Sequence, residues 1–402
     1  MSGMNFLEKL LDGVAVEWKA MGDISLKISS GGTPQTGVAE YYGGDIPWLR
    51  TQEVNFGDIW DTGVKITKAG LNNSSANWIP ENCVIVAMYG ATVGKIGINK
   101  IPMTTNQACA NIQLDESVAN YRYIFHFLLS QYEYIKSLGA GSQTNINAGI
   151  VRKLQIPIPC PDKPDRSLAI QAKIVRILDT FTALTAELTA ELTAELTDRQ
   201  KQYNYYRDRL LTFEESEVEW NPLGELAENL DFMRKPVTSG LRDFGEIPYY
   251  GASGIVDYVK DYIFEGDFLL ISEDGANLVA RNTPIAFSIS GKSWVNNHAH
   301  ILKFNTYAER RYIEYYLNSI DLTPYISGAA QPKLNQKNLN SIKIPNPSPH
   351  EKERIVAILD KFDTLTTSIR EGLPREIALR QQQYEYYRDL LLSFPKSEEV
   401  EA

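Results

Sequence analysis

Leucine returns at every fourth position through the middle of the chain, at Leu184, Leu188, Leu192 and Leu196, around the run TAELTAELTAEL that fills residues 185–196. On a helix of 3.6 residues per turn, a spacing of four makes an apolar stripe that drifts by about 40° per step. Such a stripe winds slowly around its helix and requires a partner helix to cover it. The surrounding sequence, Ser167 to Phe213, is free of proline and rich in Ala, Leu, Glu, Gln and Arg, with Asp165 or Ser167 placed to cap its start. It predicts a rod on the order of 70 Å long at ~1.5 Å per residue. Outside it the pattern changes. CVIVAMYG (83–90) and KIGINK (95–100) read as strands, and YRYIFHFLLSQYEYIK (121–136) as an amphipathic helix. Further on, IPYYGASGIVDYV, DFLLISEDGANLV, PIAFSIS and SWVNNHAHILKF read as strands, followed by RRYIEYYLNSI as a helix. The fold class predicted is α+β, with two mixed α/β modules separated by helices.

The chain also repeats itself. KIVRILDTFTALT (173–185) returns as RIVAILDKFDTLT (354–366), and QYNYYRDRLLTF (202–213) as QYEYYRDLLLSF (383–394), both offset by 181 positions. KLQIPIPCP (153–161) echoes SIKIPNPSP (341–349) at an offset of 188, and VEWKAMGDI (16–24) resembles VEWNPLGEL (218–226). Each half thus runs from a VEW lead through mixed sequence and a proline run to a long helix. The C-terminal SFPKSEEVEA resembles the approach to a VEW lead and stops before the tryptophan, so the arrangement expected is a circular pseudo-two-fold repeat whose end meets its start. Two long helices packed as an antiparallel coiled coil satisfy both stripes. Gly372 and Pro374 are expected to kink or break the distal one opposite the TAEL run. The domains expected are 1–24, a lead segment pairing with the C-terminal end; 25–152, a first module; 153–217, the central helical region; 218–340, a second module; and 341–402, the distal helical region.

Composition narrows the function. With 40 basic and 50 acidic residues the net charge is −10, against free-standing, sequence-blind nucleic-acid binding but not against a basic face. Cys83, Cys109 and Cys160 match no disulfide or zinc spacing, which suits a reducing cytoplasm. Glu8, Lys9 and Asp12 interrupt any apolar leader core, and no apolar run reaches membrane-span length. Chemistry-bearing motifs fail on inspection. YGATVGKIG (89–97) is one residue short of a phosphate loop and has Ile96 where the hydroxyl belongs, so a tight turn is the reading; SGKSW (290–294) lacks the first glycine. GAGSQT (139–144) fails as a dinucleotide fingerprint, and the glycine loop and Asn/Asp-Pro-Pro-aromatic tetrapeptide of an amino-methyltransferase are missing. His298 and His300 have no further ligand close in sequence, so hydrogen-bonded histidines are favoured over a metal site. No catalytic residue is assigned.

What remains suits recognition. Asn, Gln and Arg read adenine and guanine edges bidentately in the major groove. Such residues cluster at Arg50 and Gln52, at Gln143 and Asn145, at Trp294, Asn296 and Asn297, and at Lys333 and Asn335, with Lys95 and Asn277 beside glycine turns. Each cluster has a structural alternative as a capped turn or sheet edge. Their recurrence in corresponding places of both modules is what favours DNA. Tyr203, Tyr206 and Arg207, with Tyr384, Tyr387 and Arg388 in the distal copy, are candidates for helix pairing or for docking a partner.

IVRILDTFTALTAELTAELTAEL, the paired QYNYYRD and QYEYYRD, REGLPREI (370–377) and the two IP-rich runs together resemble the specificity subunits of type I restriction-modification systems, of the IC-like subfamily. The resemblance covers essentially the whole chain, strongest in the helical regions and termini; in the modules it extends only to their plan and to stretches such as EDGANL and WVNNHAH. It implies that each module is a target recognition domain reading one half of a bipartite, asymmetric double-stranded DNA site. It implies that the helices set the unread spacer and dock two methyltransferase subunits, and that restriction/translocase subunits join the full complex. Those partners would use S-adenosylmethionine, ATP and Mg; this subunit would bind no cofactor and catalyse nothing. Each tetrad adds about 6 Å of helix against about 3.4 Å per base pair. Axial length alone therefore predicts a change of about one to two base pairs of spacer per tetrad, and the resemblance favours one. Two alternatives stay open: an enzyme with a cryptic site, and a repeat-built adaptor or scaffold that does not act on DNA.

Overall fold

The computed structural model describes residues 7, 11, 13–139, 145–328, 331–368 and 371–395. Two compact units are present, Met1–Ala190 with Ala378–Ala402, and Glu191–Ile377. The boundaries therefore cut both helical regions, which the sequence had set apart as bodies of their own. One cut falls between Ala190 and Glu191, inside the tetrad run.

The first unit holds, in chain order, β1 (Val16–Ala20), β2 (Ser25–Ser30), β3 (Tyr42–Leu49), β4 (Asp58–Ile59), β5 (Lys65–Ile66), β6 (Trp78–Ile79), β7 (Val84–Ala87), β8 (Ile96–Asn99), β9 (Met103–Thr105), β10 (Cys109–Leu114) and β11 (Gln155–Pro159). A sheet of order β2-β10-β7-β8-β4 lies beside one of order β5-β3-β9-β6, and β1 pairs with β11. The apolar run VIVA is central and buried on both faces. Val84 and Val86 point into a core with Ile96, Ile98 and Ile112, while Ile85 and Ala87 join Leu49, Met103 and Cys109 on the other side. Burial pushes the Cys83 and Cys109 thiols up to about 12, as fits packed, unreactive cysteines.

The helices of this unit are α1 (Lys68–Asn72), α2 (Tyr121–Ser130), α3 (Tyr132–Ser137) and α4 (Ala148–Lys153). The single helix predicted over 121–136 is divided at Gln131, which leaves helical geometry. Phosphate-loop geometry is absent: YGATVGKIG is the turn of the β7–β8 antiparallel hairpin.

The central helix α5 spans Pro164–Leu211 without interruption. It begins ahead of both predicted caps, because the fixed φ of Pro164 suits a first helical position. Ser167 lies inside, buried, its hydroxyl accepting from Gln171 Nε2 at 3.1 Å. No tetrad leucine is fully buried: Leu184 is 58% exposed and Leu188, Leu192 and Leu196 are half-buried.

In the second unit lie β12 (Glu219–Pro222), β13 (Glu228–Asn229), β14 (Phe244–Gly251), β15 (Gly254–Val259), β16 (Phe264–Ser272), β17 (Ala286–Val295), β18 (Ala299–Lys303) and β19 (Lys343–Asn346), with helices α6 (Leu223–Leu226), α7 (Asn277–Ala280), α8 (Tyr307–Ser319) and α9 (Gln336–Asn340). The sheet order is β13-β18-β16-β17-β14-β15, and β12 pairs with β19. The Gly-Lys-Ser of SGKSW sits mid-strand in β17, where Gly291 faces Gly266 of β16.

The distal helical region is two helices, α10 (Pro349–Thr367) and α11 (Gly372–Leu391). The break expected at Gly372 and Pro374 falls just ahead of Gly372. That residue has φ +81°, and a Cβ on it would lie 2.5 Å from the Thr364 carbonyl oxygen, so glycine is required.

The duplication is visible residue by residue. Trp18 faces Pro157 across β1–β11, and Trp220 faces Pro345 across β12–β19. Asn147 caps α4 by accepting from Ile150 N, and Asn335 caps α9 by accepting from Asn338 N. The helices pair reciprocally. Phe181 of α5 packs on Tyr387 of α11 at 6.1 Å in the first unit, and Tyr206 of α5 stacks on Phe362 of α10 at 5.6 Å in the second. Phe181 and Phe362 are equivalent repeat positions, as are Tyr206 and Tyr387. The lead strand β1 pairs with β11, and the Trp18 indole donates to the Pro395 carbonyl at 2.9 Å; the rest of the chain's end, with which the lead was expected to pair, lies outside the described residues.

Candidate nucleic-acid interface

The same set of main-chain bonds builds one end of each module's sheet. After β7 the chain turns at Gly90, in the left-handed region at φ +75°; after β16 it turns at Gly275, at φ +105°. A loop then crosses each turn. Ile146 N donates to Met88 O at 3.0 Å, and Leu334 N donates to Glu273 O at 2.8 Å. From the other side Met88 N donates to Ala108 O and Glu273 N to His298 O, both near 2.9 Å or shorter. Three loops therefore meet at each sheet end: the hairpin turn, the crossing loop and the turn before β10 or β18.

The crossing loops carry Asn145 and Lys333 at equivalent positions. Asn145 Oδ1 accepts from Gly90 N at 3.3 Å, while Lys333 Nζ reaches Glu273 Oε1 at 3.0 Å. Gln143 lies outside the described residues. In the third loop Asn296 is buried and accepts from His298 N at 2.8 Å, leaving Asn297 exposed to solvent. Asn106 does the same in the first module, accepting from Ala108 N at 3.1 Å, and it leaves Gln107 exposed. Asn106 and Gln107 escaped the sequence reading. The signal was present as N-Q-A-C-A against N-N-H-A-H, but the loops differ in length and hide the alignment.

The other candidates divide. The segment Thr51–Glu53 packs beside Gly90–Thr92, which brings Arg50 and the exposed Gln52 near that end of the first module's sheet. Arg50 is held there by Glu53, Nε to Oε1 3.0 Å. Lys95 donates to Asn55 Oδ1 at 2.8 Å and lies over the Phe56 ring. Asn277 clasps the Thr283 main chain with both ends of its amide, at 3.0 and 3.1 Å, so it shapes a turn. Trp294 donates to Lys235 O at 2.6 Å, and the Asn335 side chain is spent on its cap. Of the second-module candidates, Asn297 and Lys333 are the exposed ones.

Beneath the three loops of the second module lies a charged cluster. Buried His300 places Nδ1 2.5 Å from Asp231 Oδ2 and donates from Nε2 to the Leu334 carbonyl at 2.6 Å. Arg234 Nη1 donates to Glu273 Oε2 at 2.6 Å. Burial opposes ionisation of both acids, yet the His300 hydrogen bond holds Asp231 below the usual carboxylate range, and the Arg234 and Lys333 bonds do so for Glu273. Asp231, Glu273 and His300 offer three ligand atoms within 4.8 Å of one another. The donor set does not fit a metal, because the guanidinium already fills the cation's place and both imidazole nitrogens are engaged. His298 similarly contacts Asp274 at 2.8 Å.

On the helices, Tyr384 shares a 3.0 Å hydrogen bond with Thr182, and Arg207 and Arg388 lie over Tyr203 and Tyr384 while pairing with Asp208 and Asp389. Tyr203 and Tyr206 contact Phe362, Tyr384 contacts Thr182 and Tyr387 contacts Phe181, so all four lie against the facing helix. Tyr205 and Tyr386, between them, remain 58% and 64% exposed. Among the described residues no helix is long and apolar enough to cross a membrane.

Against known proteins, residues 15–198 and 215–379 match the family model described as the type I restriction modification DNA specificity domain. The chain is 37% identical over 383 residues to the EcoprrI type I restriction enzyme specificity subunit of Escherichia coli, covering 92% of this chain and 93% of that one. It is 36% identical to the EcoR124I/EcoR124II specificity subunit of the same organism over the full length of both. In fold it is similar to a chain from a structure of type I R-M complex assembly and conformational transition, with TM-score 0.66 and 16% identity over 94% of this chain and 97% of that one. The HsdS subunit from Thermoanaerobacter tengcongensis gives TM-score 0.52 and 17% identity over 94% and 95%.

Proposed function

The chain belongs to the type I restriction modification DNA specificity family, and from that premise we propose that its two modules each read one half of a bipartite DNA site. The observation that carries the reading is one backbone scaffold built twice, bearing Gln107 and Asn145 at one reading end and Asn297 and Lys333 at the other. Equivalent geometry with different side chains is what two different half-sites require. The helices set the spacer and present Tyr205 and Tyr386 to two copies of a methyltransferase subunit. Those partners hold S-adenosylmethionine, and restriction/translocase subunits bring ATP and Mg. The chain itself binds no cofactor, contributes no catalytic group and works in the cytoplasm. The net charge of −10 is compatible with this, because partner subunits share the phosphate contacts.

Long-read methylome sequencing of a host with and without the gene tests the reading. One new split adenine-methylation motif, with a fixed unread spacer, is expected. A continuous palindrome, or no new motif, rejects it.

A further inference from the structure

A tripeptide shared by the two modules, Arg122-Tyr123-Ile124 and Arg311-Tyr312-Ile313, sits on α2 and α8 and makes the same contacts in both units. The tyrosine hydroxyl donates to the proline run, Tyr123 to Pro157 O at 2.6 Å and Tyr312 to Pro345 O at 3.0 Å. The arginine grips the aspartate of the repeated Ile-Leu-Asp on the long helix. Arg122 Nε and Nη2 donate to the two oxygens of Asp179 at 2.8 and 2.6 Å, and Arg311 Nε donates to Asp360 Oδ1 at 3.0 Å. A third group one turn further along the module helix meets the same carboxylate: His126 Nε2 on Asp179 at 2.7 Å, and Tyr315 hydroxyl on Asp360 at 2.7 Å.

Around these contacts the modules have diverged. Arg122 also reaches Asp58 at 3.3 Å, whereas Arg311 reaches Glu314 at 2.6 Å and Asp363 at 3.0 Å, and Tyr307 adds its hydroxyl to Asp360 at 2.8 Å. The aspartate, the arginine and the tyrosine-to-proline bond are what persists. A helix held at its tyrosine and at two successive turns to a single carboxylate can neither slide along the long helix nor roll against it. Arg122 gives its Nε and Nη2 bonds to one carboxylate, whereas Arg311 spreads its fork over Asp360, Asp363 and Glu314; in each case the planar, charge-assisted fork fixes direction as well as distance.

We propose that Arg122–Asp179 and Arg311–Asp360 are positioning pairs that lock each recognition module in one axial and rotational phase on its helix, and so set how strictly the DNA spacer is measured. The proposal rests on the reading that two modules address two half-sites. One base pair of spacer displaces a half-site by about 3.4 Å and turns it by about 35°. A joint must hold its module more tightly than that for a single spacer length to be selected.

The test uses the full chain assembled with its cognate methyltransferase subunits, and duplexes whose spacer is one base pair short, native or one base pair long. Arg122→Lys and Arg311→Lys keep the charge but lose the fork. Methylation at the wrong spacers relative to the native one should rise about tenfold in each, with the half-site letters unchanged. Tyr307→Phe removes one hydroxyl from a residue 56% exposed. It guards against a folding defect, and a smaller shift in the same direction is expected. Equal loss at all three spacers, relaxed letters at a fixed spacer, or wild-type spacer discrimination in all three variants overturns the proposal. If the wild-type complex recognises no split site, the functional reading fails first, and the two failures are told apart.

Discussion

At equivalent places beneath its crossing loop, the first module has Ser30, Met88 and Ala110, whereas the second has Asp231, Glu273 and His300. The loops above them nevertheless follow the same course, because main-chain bonds at Met88 and Glu273 hold them irrespective of side chain. The difference lies in what each foundation does to the crossing-loop residue above it. Neutral surroundings leave Asn145 tied to a main-chain amide. In the second module Lys333 is tethered to Glu273, whose charge is itself balanced by Arg234. Burying such a set costs desolvation and is tolerable only when every member is paired. One scaffold can thus be kept by its backbone while its interior and its surface are both rewritten.

Breaking the charged foundation should have the largest effect. His300→Ala removes the shortest of Asp231's contacts, leaving it Ile301 N, Asn229 and Arg234, and takes the donor from the buried Leu334 carbonyl. Losing one bond to a charged group and leaving one buried carbonyl unpaired should destabilise the second unit by about 3 kcal/mol, seen in calorimetry as a transition separating from that of the first. Ala110→Leu in the neutral module should produce no such selective loss of the second unit. A His300→Ala chain that melts as one transition at the wild-type temperature would falsify the charged-foundation account.

The exposed amides sharpen the comparison at the level of recognition. Gln107→Ala and Asn297→Ala should each relax one half-site only, by about 1–3 kcal/mol of base discrimination, measured by competition among duplexes altered one base at a time. Relaxation of both half-sites by either change would mean that the modules do not read separately.

The smallest effect concerns pH at the first joint. Burial opposes ionisation of Asp179, but hydrogen bonds from His126 and Arg122 and their charges bring its pKa down from 3.8 to about 2. A lowered carboxylate contributes stability above its unfolded pKa and loses it as pH falls through the folded one. The advantage of the wild type over Asp179→Asn should therefore be full above about pH 4 and shrink towards pH 2. The joint is half-exposed beside an open cleft with Phe56, Tyr384 and Arg388, so the difference in melting temperature should be modest. An advantage that stays constant across that range would count against it.

The helical half of this architecture was legible because its signals are local. Apolar periodicity gave the long helix, and near-identical anchors gave the repeat and the break near Gly372. The module sheets were not legible in the same way. β3 pairs in parallel with β9, and β14 with β17, across long separations that no local pattern marks. Site residues were legible as types but not as roles. Asn335, Asn296 and Asn277 looked like base readers, but they are a cap, a buried turn residue and a loop clasp, because amides satisfy main-chain groups as readily as bases. The joint was half visible: Asp179 and Asp360 stood in the repeated motif, while the shared Arg-Tyr-Ile lay at a different offset.

Leu391, Leu392 and Phe394 belong to the core of the first unit, with Phe394 6.2 Å from the Tyr123 ring. The whole second unit is synthesised between the two parts of that core. At ~5–20 residues per second, residues 191–377 emerge as one continuous segment and can close their own contacts while the first unit is still waiting for its last helix. The module encoded first is thus completed last. A chain cut at residue 377 would keep every residue of the second unit and leave the first one missing a wall.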